Sequence, residues 1–153
     1  IAEGEFVEDN YLLGFKHIAE IGIRAISPAV NDPSTTINTI DYLTDLLALR
    51  LLKKEDEVVS LEDHQPCIWL STIYFEELLY QIILPYRTYC KNDFSCVQKL
   101  LLMFSFLLKQ KTVSQKYHES IKKEANNLYE DVKHSLKNER DLERLEAMYQ
   151  QIA

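Results

Sequence analysis

The chain has 153 residues, of which 46% are hydrophobic, 24 are acidic and 17 are basic, so its formal net charge is −7. This length and apolar content suffice for one continuous core, and a single domain over residues 1–153 is predicted. Nucleic-acid binding requires a clustered basic face to displace counterions. The acidic balance therefore predicts no nucleic-acid partner.

Glycine and proline are scarce, with three and four copies respectively. Because both residues mark turns, a turn-rich β fold is excluded and helices are predicted for most of the chain. No apolar run approaches the roughly 18 residues that span a bilayer. Cys67, Cys90 and Cys96 lack C-x-x-C spacing, which favours reduced core thiols in the cytoplasm over disulfides or zinc ligands. The first residue is Ile1 rather than Met, so we expect a piece of a longer protein.

Apolar residues at three- and four-residue steps predict a first helix over residues 9–26. Ser27-Pro28 ends it, because the residue before a proline is pushed out of the α region. Asp32-Pro33 predicts the start of the second helix, since aspartate is a good N-cap and proline suits the first helical position. The first two helices are therefore expected to form a hairpin.

The middle of the chain is predicted to begin with an acidic surface loop over residues 55–66, with extended structure allowed only within 57–70. Ser71 is the predicted cap of the third helix, which Pro85 either kinks or stops. This helix is apolar nearly all the way round. Such a helix is typical of a bundle centre or of a surface that covers a partner.

Asn92-Asp93 predicts the start of a fourth helix that is also strongly apolar. A long amphipathic helix is predicted over residues 112–136, and Asn138 is the expected cap of a sixth helix antiparallel to it. The predicted fold class is all-α, an irregular bundle of about six helices built from helical hairpins. The third and fourth helices are expected to supply the core or a homo-oligomer surface.

Motifs of known catalytic chemistry are scarce. The sequence contains no G-x-S-x-G, no H-E-x-x-H and no glycine-rich phosphate loop. His17 and Glu20 lie one helical turn apart, but a helical di-iron site needs the Glu-x-x-His pair twice, so a polar surface pair is favoured. We predict no metal and no cofactor. At least one of Glu76 and Glu77 is expected to be buried against a basic group, with Arg24 and Arg87 as candidates.

The densest polar stretch between two apolar helices is the Ser27–Thr36 loop with the arginine that precedes it. Its polar side chains could simply complete the hydrogen bonds of two helix ends, and this structural interpretation is favoured. Asparagine and serine in addition to the capping aspartate exceed what one cap requires, which keeps a ligand or partner site open. The candidate site residues are Arg24, Ser27, Asn31, Asp32, Ser34 and Thr35.

The run from Gly14 to Thr36 resembles a helix-loop-helix signature of a bacterial predicted membrane protein family, domain of unknown function 2254. The specific part is S-P-x-[IV]-N-D-P-x-T, read here from Ser27 to Thr35. Ala29 and Thr36 depart from the family's usual glycine and alanine, so the position of Ala29 need not have a positive φ. The resemblance implies N-terminal transmembrane helices in the parent and this chain as its C-terminal extramembrane part. It implies no reaction.

The sequence therefore favours a non-enzymatic domain on the cytoplasmic face of a bacterial inner membrane, acting in assembly, regulation or gating. Its expected partners are the parent's own transmembrane region and further copies of itself. One alternative is a small ligand-binding or hydrolytic domain that uses the Ser27–Thr36 loop. Another is a free-standing adaptor made of helical hairpins.

Overall fold

The computed structural model describes residues 11–59, 68–71 and 73–152. These residues form six helices and one antiparallel pair of short strands. In chain order the elements are α1 (Tyr11–Ala25), α2 (Pro33–Arg50), β1 (Asp56–Val59), β2 (Ile68–Ser71), α3 (Phe75–Cys90), α4 (Phe94–Leu108), α5 (Gln115–Lys133) and α6 (Glu139–Tyr149). The predicted all-α bundle of about six helices is confirmed.

Three helices begin at the caps that the sequence predicts. The Asp32 carboxylate accepts the backbone N–H of Thr35, and the Asp93 carboxylate accepts that of Cys96, each at 3.1 Å. The Asn138 side chain likewise accepts the N–H of Arg140 at 2.9 Å. These bonds satisfy first-turn donors that have no partner within the helix.

The start of α3 was predicted wrongly. Ser71 is the last residue of β2 rather than a cap, and α3 begins at Phe75 after Tyr74, whose side chain makes no capping bond. The Phe75 N–H instead donates to the Glu55 carboxylate at 2.7 Å, a cap supplied from 20 residues away. Pro85 does not stop α3, which continues to Cys90.

The predicted loop over 55–66 is also partly wrong, because its first residues form β1. β1 pairs with β2 in a register that runs from Asp56 opposite Ser71 to Val59 opposite Ile68. The strands match the span 57–70 in which extended structure was allowed, except that β1 begins one residue before it, at Asp56, and β2 ends one residue after it, at Ser71. Residues 60–67, with Cys67 and the rest of that predicted loop, lie outside the described residues, as do residues 9 and 10 of the predicted first helix.

The core lies between α2, α3 and α4, with α1 and α5 packed around them and α6 against α4 and α5. Cys90 and Cys96 are fully buried free thiols, as predicted. The largest side chains that are under 2% exposed are Tyr86, Phe75, Phe104, Ile40, Leu43, Leu47, Leu51, Leu79, Ile82, Ile83, Leu100 and Leu101. Eight of these twelve belong to α3 or α4, which agrees with the predicted central place of the apolar third and fourth helices.

The end of α2 meets the connection between α4 and α5. The Leu51 carbonyl accepts the N–H of Val113 at 3.1 Å, and the Lys53 carbonyl accepts the Tyr117 hydroxyl at 3.0 Å. Tyr11, at the start of α1, lines the same groove as Lys53. The start of α1, the end of α2 and the α4–α5 connection therefore share one end of the bundle, and the α1–α2 loop lies at the other end of the α1–α2 hairpin.

Candidate functional site

The α1–α2 loop is a tight turn held by backbone hydrogen bonds. The Ser27 carbonyl accepts the N–H groups of Val30 at 3.1 Å and Asn31 at 2.8 Å, and the Ala25 carbonyl accepts that of Asp32 at 2.8 Å. Asn31 has φ 51° and is the one non-glycine residue with a positive φ in the described part of the chain. Asparagine tolerates this left-handed conformation better than most residues. Ala29 does not adopt it, as its identity predicts.

The Asp32 carboxylate is engaged at the start of α2. One oxygen accepts the Thr35 N–H at 3.1 Å, and the other accepts the Thr35 hydroxyl at 2.5 Å. These two bonds, the hydroxyl bond foremost, lower the pKa of Asp32 below its ordinary value, and the N–H of Ser34 adds to the effect. Two candidate residues thus stabilise the charged form of a third, which is the geometry of an N-cap.

The remaining candidates lie apart from this carboxylate. The Ser27 hydroxyl donates to the Arg24 carbonyl at 2.6 Å, so the serine caps the last turn of α1. The Arg24 side chain is 82% exposed, lies 3.8 Å from Glu20 and lines a groove between α1 and α3. Asn31 and Ser34 are exposed. The loop brings Asp32, Ser34 and Thr35 together, and Arg24 is directed to a different surface.

Behind the loop, α1, α2 and α3 meet at a buried polar cluster that the sequence analysis missed. The Thr36 hydroxyl donates to the Gly22 carbonyl at 3.0 Å, and the Thr39 hydroxyl donates to the Thr36 carbonyl at 2.7 Å. Thr39 also lies 2.8 Å from the Tyr86 hydroxyl, and burial raises the pKa of Tyr86 to about 12. The sequence signal for this cluster was a pair of threonines three residues apart on the buried face of α2, together with a glycine within the first helix.

A second polar cluster joins α3 to α5. The Arg87 guanidinium contacts Glu124 at 3.1 Å and Asp131 at 2.8 Å, and the other Glu124 oxygen accepts the Asn127 amide at 3.2 Å. Glu124 is 4% exposed. Burial raises the pKa of its carboxyl, while the Arg87 charge opposes that rise. The cluster is fully paired and ties two helices together.

The expected burial of Glu76 or Glu77 against Arg24 or Arg87 was wrong. Both glutamates are exposed, and Glu76 pairs with Lys123 at 2.7 Å on the α3–α5 flank. Arg87 is a largely buried ion-pair residue as suspected, but its partners lie on α5. A pairing across 37 residues leaves no spacing signal in the sequence.

Two apolar grooves open on the surface. One of about 540 Å³ lies between α1 and α3 and is lined by Ile23, Leu84 and Pro85, among others. The other, of about 830 Å³, lies between the start of α1 and the end of α2, and two of its lining residues are Lys53 and Lys54. Across the described ranges, no group of three histidine, cysteine or acidic side chains is arranged to hold a metal ion.

The sequence profile of one family, described as a predicted membrane protein of domain of unknown function 2254, matches residues 1–105. The match includes the loop and the first four helices as far as Ser105. No curated protein and no solved structure matches the chain significantly. Among the helices that the structure describes, none has both the length and the apolar content that a bilayer crossing requires.

Proposed function

Because the chain belongs to the predicted membrane protein family domain of unknown function 2254, we propose that it forms an extramembrane, non-enzymatic domain that assembles its parent protein through contacts between copies. In this proposal the domain lies on the cytoplasmic face of a bacterial inner membrane. Assembly is the role that the surface of α4 supports best, whereas regulation and gating follow from assembly if the copies change their arrangement.

The supporting observation is an apolar pair on the outer face of α4. Leu102 and Phe106 lie one helical turn apart and are 56% and 44% exposed, although the rest of α4 is largely buried. Interfaces between proteins are built around such apolar and aromatic anchors, with polar residues at the rim. This surface, the α4 face, is therefore a suitable centre for a contact.

Charges beside the α4 face favour a second copy of the chain as the occupant. Lys99 on α4 pairs with Asp41 on α2 at 2.5 Å, and the exposed Asp45 lines the same shallow pocket as Leu102 and Phe106. A surface that presents both signs of charge around an apolar centre can complement itself across a two-fold axis. A nucleic acid or a strongly charged partner needs a surface of one sign.

Sedimentation equilibrium tests the proposal. The chain should self-associate below about 100 μM, and the double variant Leu102→Ser/Phe106→Ser should weaken the dimer by at least about 100-fold, because aromatic and apolar anchors dominate binding free energy. Leu49→Ser is the matched control, since Leu49 is 62% exposed but lies on a different surface. A chain that stays monomeric at 100 μM contradicts the proposal.

The alternative, a ligand-binding or hydrolytic domain that uses the Ser27–Thr36 loop, has weaker support. Asp32 and Ser27 both bond to neighbours in the loop, and the described histidines, His17, His118 and His134, lie outside it. Hydrolysis by a serine needs a base within hydrogen-bond reach of its hydroxyl. Here the Ser27 hydroxyl donates to a backbone carbonyl.

A further inference from the structure

One end of the bundle combines exposed lysines with exposed apolar side chains. Lys53 and Lys54 follow α2, and Lys109 and Lys111 lie in the α4–α5 connection; all four are exposed. The Val113 N–H donates to the Leu51 carbonyl at 3.1 Å, so the two lysine pairs occupy neighbouring segments. We call this surface the basic end, and its apolar members are Leu49, Leu52 and Val113.

The basic end differs from the rest of the chain in charge. Residues 46–54 and 109–118 contain no acidic residue, although the whole chain carries 24 acidic residues and a net charge of −7. The next acid after α2, Glu55, directs its carboxylate to the Phe75 N–H at 2.7 Å. The acids at the start of α3 lie on the α3–α5 flank, where Glu76 pairs with Lys123. Asp56 and Glu57 follow in β1, so the positive charge is concentrated on the two acid-free segments, 46–54 and 109–118, of an otherwise acidic protein.

The apolar side chains of this end are open to solvent. Leu49 is 62% exposed, Leu52 is 52% exposed and Val113 is 47% exposed. The two leucines also line the groove of about 830 Å³, whose other walls include Phe15 and Ile18 of α1. Lysines beside exposed leucines are the composition of protein surfaces that lie in the interface of an anionic membrane.

We propose that the basic end is a membrane-docking surface, which rests on a bilayer that contains anionic phospholipids. Lys53, Lys54, Lys109 and Lys111 lie among the phosphate groups, and Leu49 and Leu52 enter the boundary between headgroups and acyl chains. The net charge of −7 repels an anionic bilayer, so adsorption needs a locally basic surface such as this one. The docking therefore fixes which end of the bundle points at the membrane and places the α1–α2 loop on the distal side. This inference does not depend on self-association through the α4 face.

Flotation of the 153-residue chain with vesicles tests the proposal. We expect binding to vesicles of phosphatidylcholine with roughly 30% phosphatidylglycerol and little binding to phosphatidylcholine alone. Raising the salt from about 50 mM to about 500 mM should weaken the binding, because screening shortens the range of the lysine charges. Equal binding to both kinds of vesicle, or no binding to either, overturns the proposal.

A pair of double variants tests the lysines. Lys53→Gln/Lys54→Gln should lower the partition coefficient about 25-fold, which is roughly fivefold for each lysine at an anionic surface. Lys91→Gln/Lys137→Gln removes the same charge from the α3–α4 and α5–α6 connections and should leave vesicle binding within about twofold of the parent chain. If both double variants lower binding equally, the attraction is not local and the proposal is wrong.

The leucines are tested in the same way. Leu49→Ser/Leu52→Ser should lower partitioning at least about tenfold, because two apolar side chains lose their transfer into the membrane. Leu102→Ser changes a side chain of similar exposure, 56%, on the α4 face and should not affect vesicle binding. If the leucine double variant abolishes self-association without lipid and leaves vesicle binding intact, the basic end contacts a second copy instead, and the docking proposal is overturned.

Discussion

The Tyr86 hydroxyl of α3 occupies the space that a side chain at Gly22 of α1 would need. A Cβ atom at Gly22 would also overlap the Thr39 hydroxyl of α2. Three helices thus approach each other at a point where only glycine fits, and the hydroxyl groups of Thr39 and Tyr86 bond at 2.8 Å beside it. The α1–α2 hairpin is fixed on α3 by this contact.

Gly22→Ala should therefore destabilise the chain by about 2 kcal/mol, since overpacking of a buried site outweighs the better helix propensity of alanine. Urea unfolding followed by circular dichroism measures the change. Gly14→Ala on the same helix is the control, because Gly14 is only half-buried. It should be neutral or slightly stabilising, and a Gly22→Ala variant as stable as Gly14→Ala would contradict the close approach.

Tyr86 should make the stability of the fold depend on pH in the alkaline range. Burial raises its pKa from 10.0 to about 12, so the folded state favours the neutral phenol. The stability that this preference contributes is complete below pH 10 and is lost as the pH rises through about 12. Tyr86→Phe should cost about 1 kcal/mol at neutral pH through the lost hydrogen bond, and its stability should fall less between pH 10 and 12.

Urea unfolding at several pH values between 9 and about 12 measures this difference. Tyr80→Phe is the control, because Tyr80 also lies on α3 but is 41% exposed. It should follow the wild-type curve at every pH. Parallel curves for wild type and Tyr86→Phe would mean that the buried phenol does not titrate with unfolding.

Replacing only one partner of the Arg87–Glu124 ion pair should lower the free energy of unfolding substantially. Both side chains are largely buried, 14% and 6% exposed, so Arg87→Met leaves a buried carboxylate without its cation and should cost about 3–5 kcal/mol. Adding Glu124→Leu should recover most of that loss, since an apolar pair can replace a buried ion pair. Lys123→Met breaks the exposed pair with Glu76 and should have no measurable effect.

The same pair predicts a pH dependence. Burial raises the pKa of Glu124 above its ordinary value of 4.5, and removal of Arg87 takes away the charge that opposes this rise. A raised carboxyl pKa contributes stability that is present below 4.5 and lost as the pH rises through the folded value. The deficit of Arg87→Met should therefore be largest near neutral pH and should shrink as the pH approaches 4.5, which denaturant unfolding at each pH can show.

The sequence predicted the features that neighbouring residues determine. Asp32, Asp93 and Asn138 cap their helices because a cap needs only a side chain and an N–H two or three residues ahead. The six helices were predictable because the spacing of apolar residues by three and four positions is also a local pattern. The α1–α2 hairpin likewise follows from two helices separated by a short loop.

Features that depend on distant residues were not predictable in this way. Ser71 lies in a strand because it pairs with Asp56, and the Phe75 N–H is capped by Glu55, 20 residues earlier. Four-residue strands also show too few alternations to distinguish them from a loop. Of the candidate site, the Asp32 cap could be predicted from its neighbours. The outward direction of Arg24 depends on the packing of α1 against α3.

Asp32 should affect stability in a pH-dependent way. Its pKa is lowered by the Thr35 hydroxyl and N–H, so the cap contributes stability that is present above the ordinary value of 3.8 and lost as the pH falls through the folded value. Asp32→Ala should lower the melting temperature by a few degrees at pH 7, and this difference should decrease below 3.8. Asp32→Ser should behave almost as wild type. Asn38→Ala, at an exposed position of α2 away from the α4 face, is the control and should leave the melting temperature unchanged.

Asn31 separates the structural interpretation of the loop from the functional one. Its φ of 51° requires a residue that tolerates the left-handed region, so Asn31→Ala should cost about 1 kcal/mol and Asn31→Gly should leave stability nearly unchanged. The glycine variant is therefore the decisive one, because it keeps the backbone and removes only the exposed amide. If that amide binds a ligand or a partner helix, Asn31→Gly should have the melting temperature of the wild type. The variant should nevertheless fail to support assembly of the full-length parent in membranes. Thermal melts together with cross-linking of the parent in membranes measure both properties, and normal assembly of Asn31→Gly would leave Asn31 with a purely conformational role.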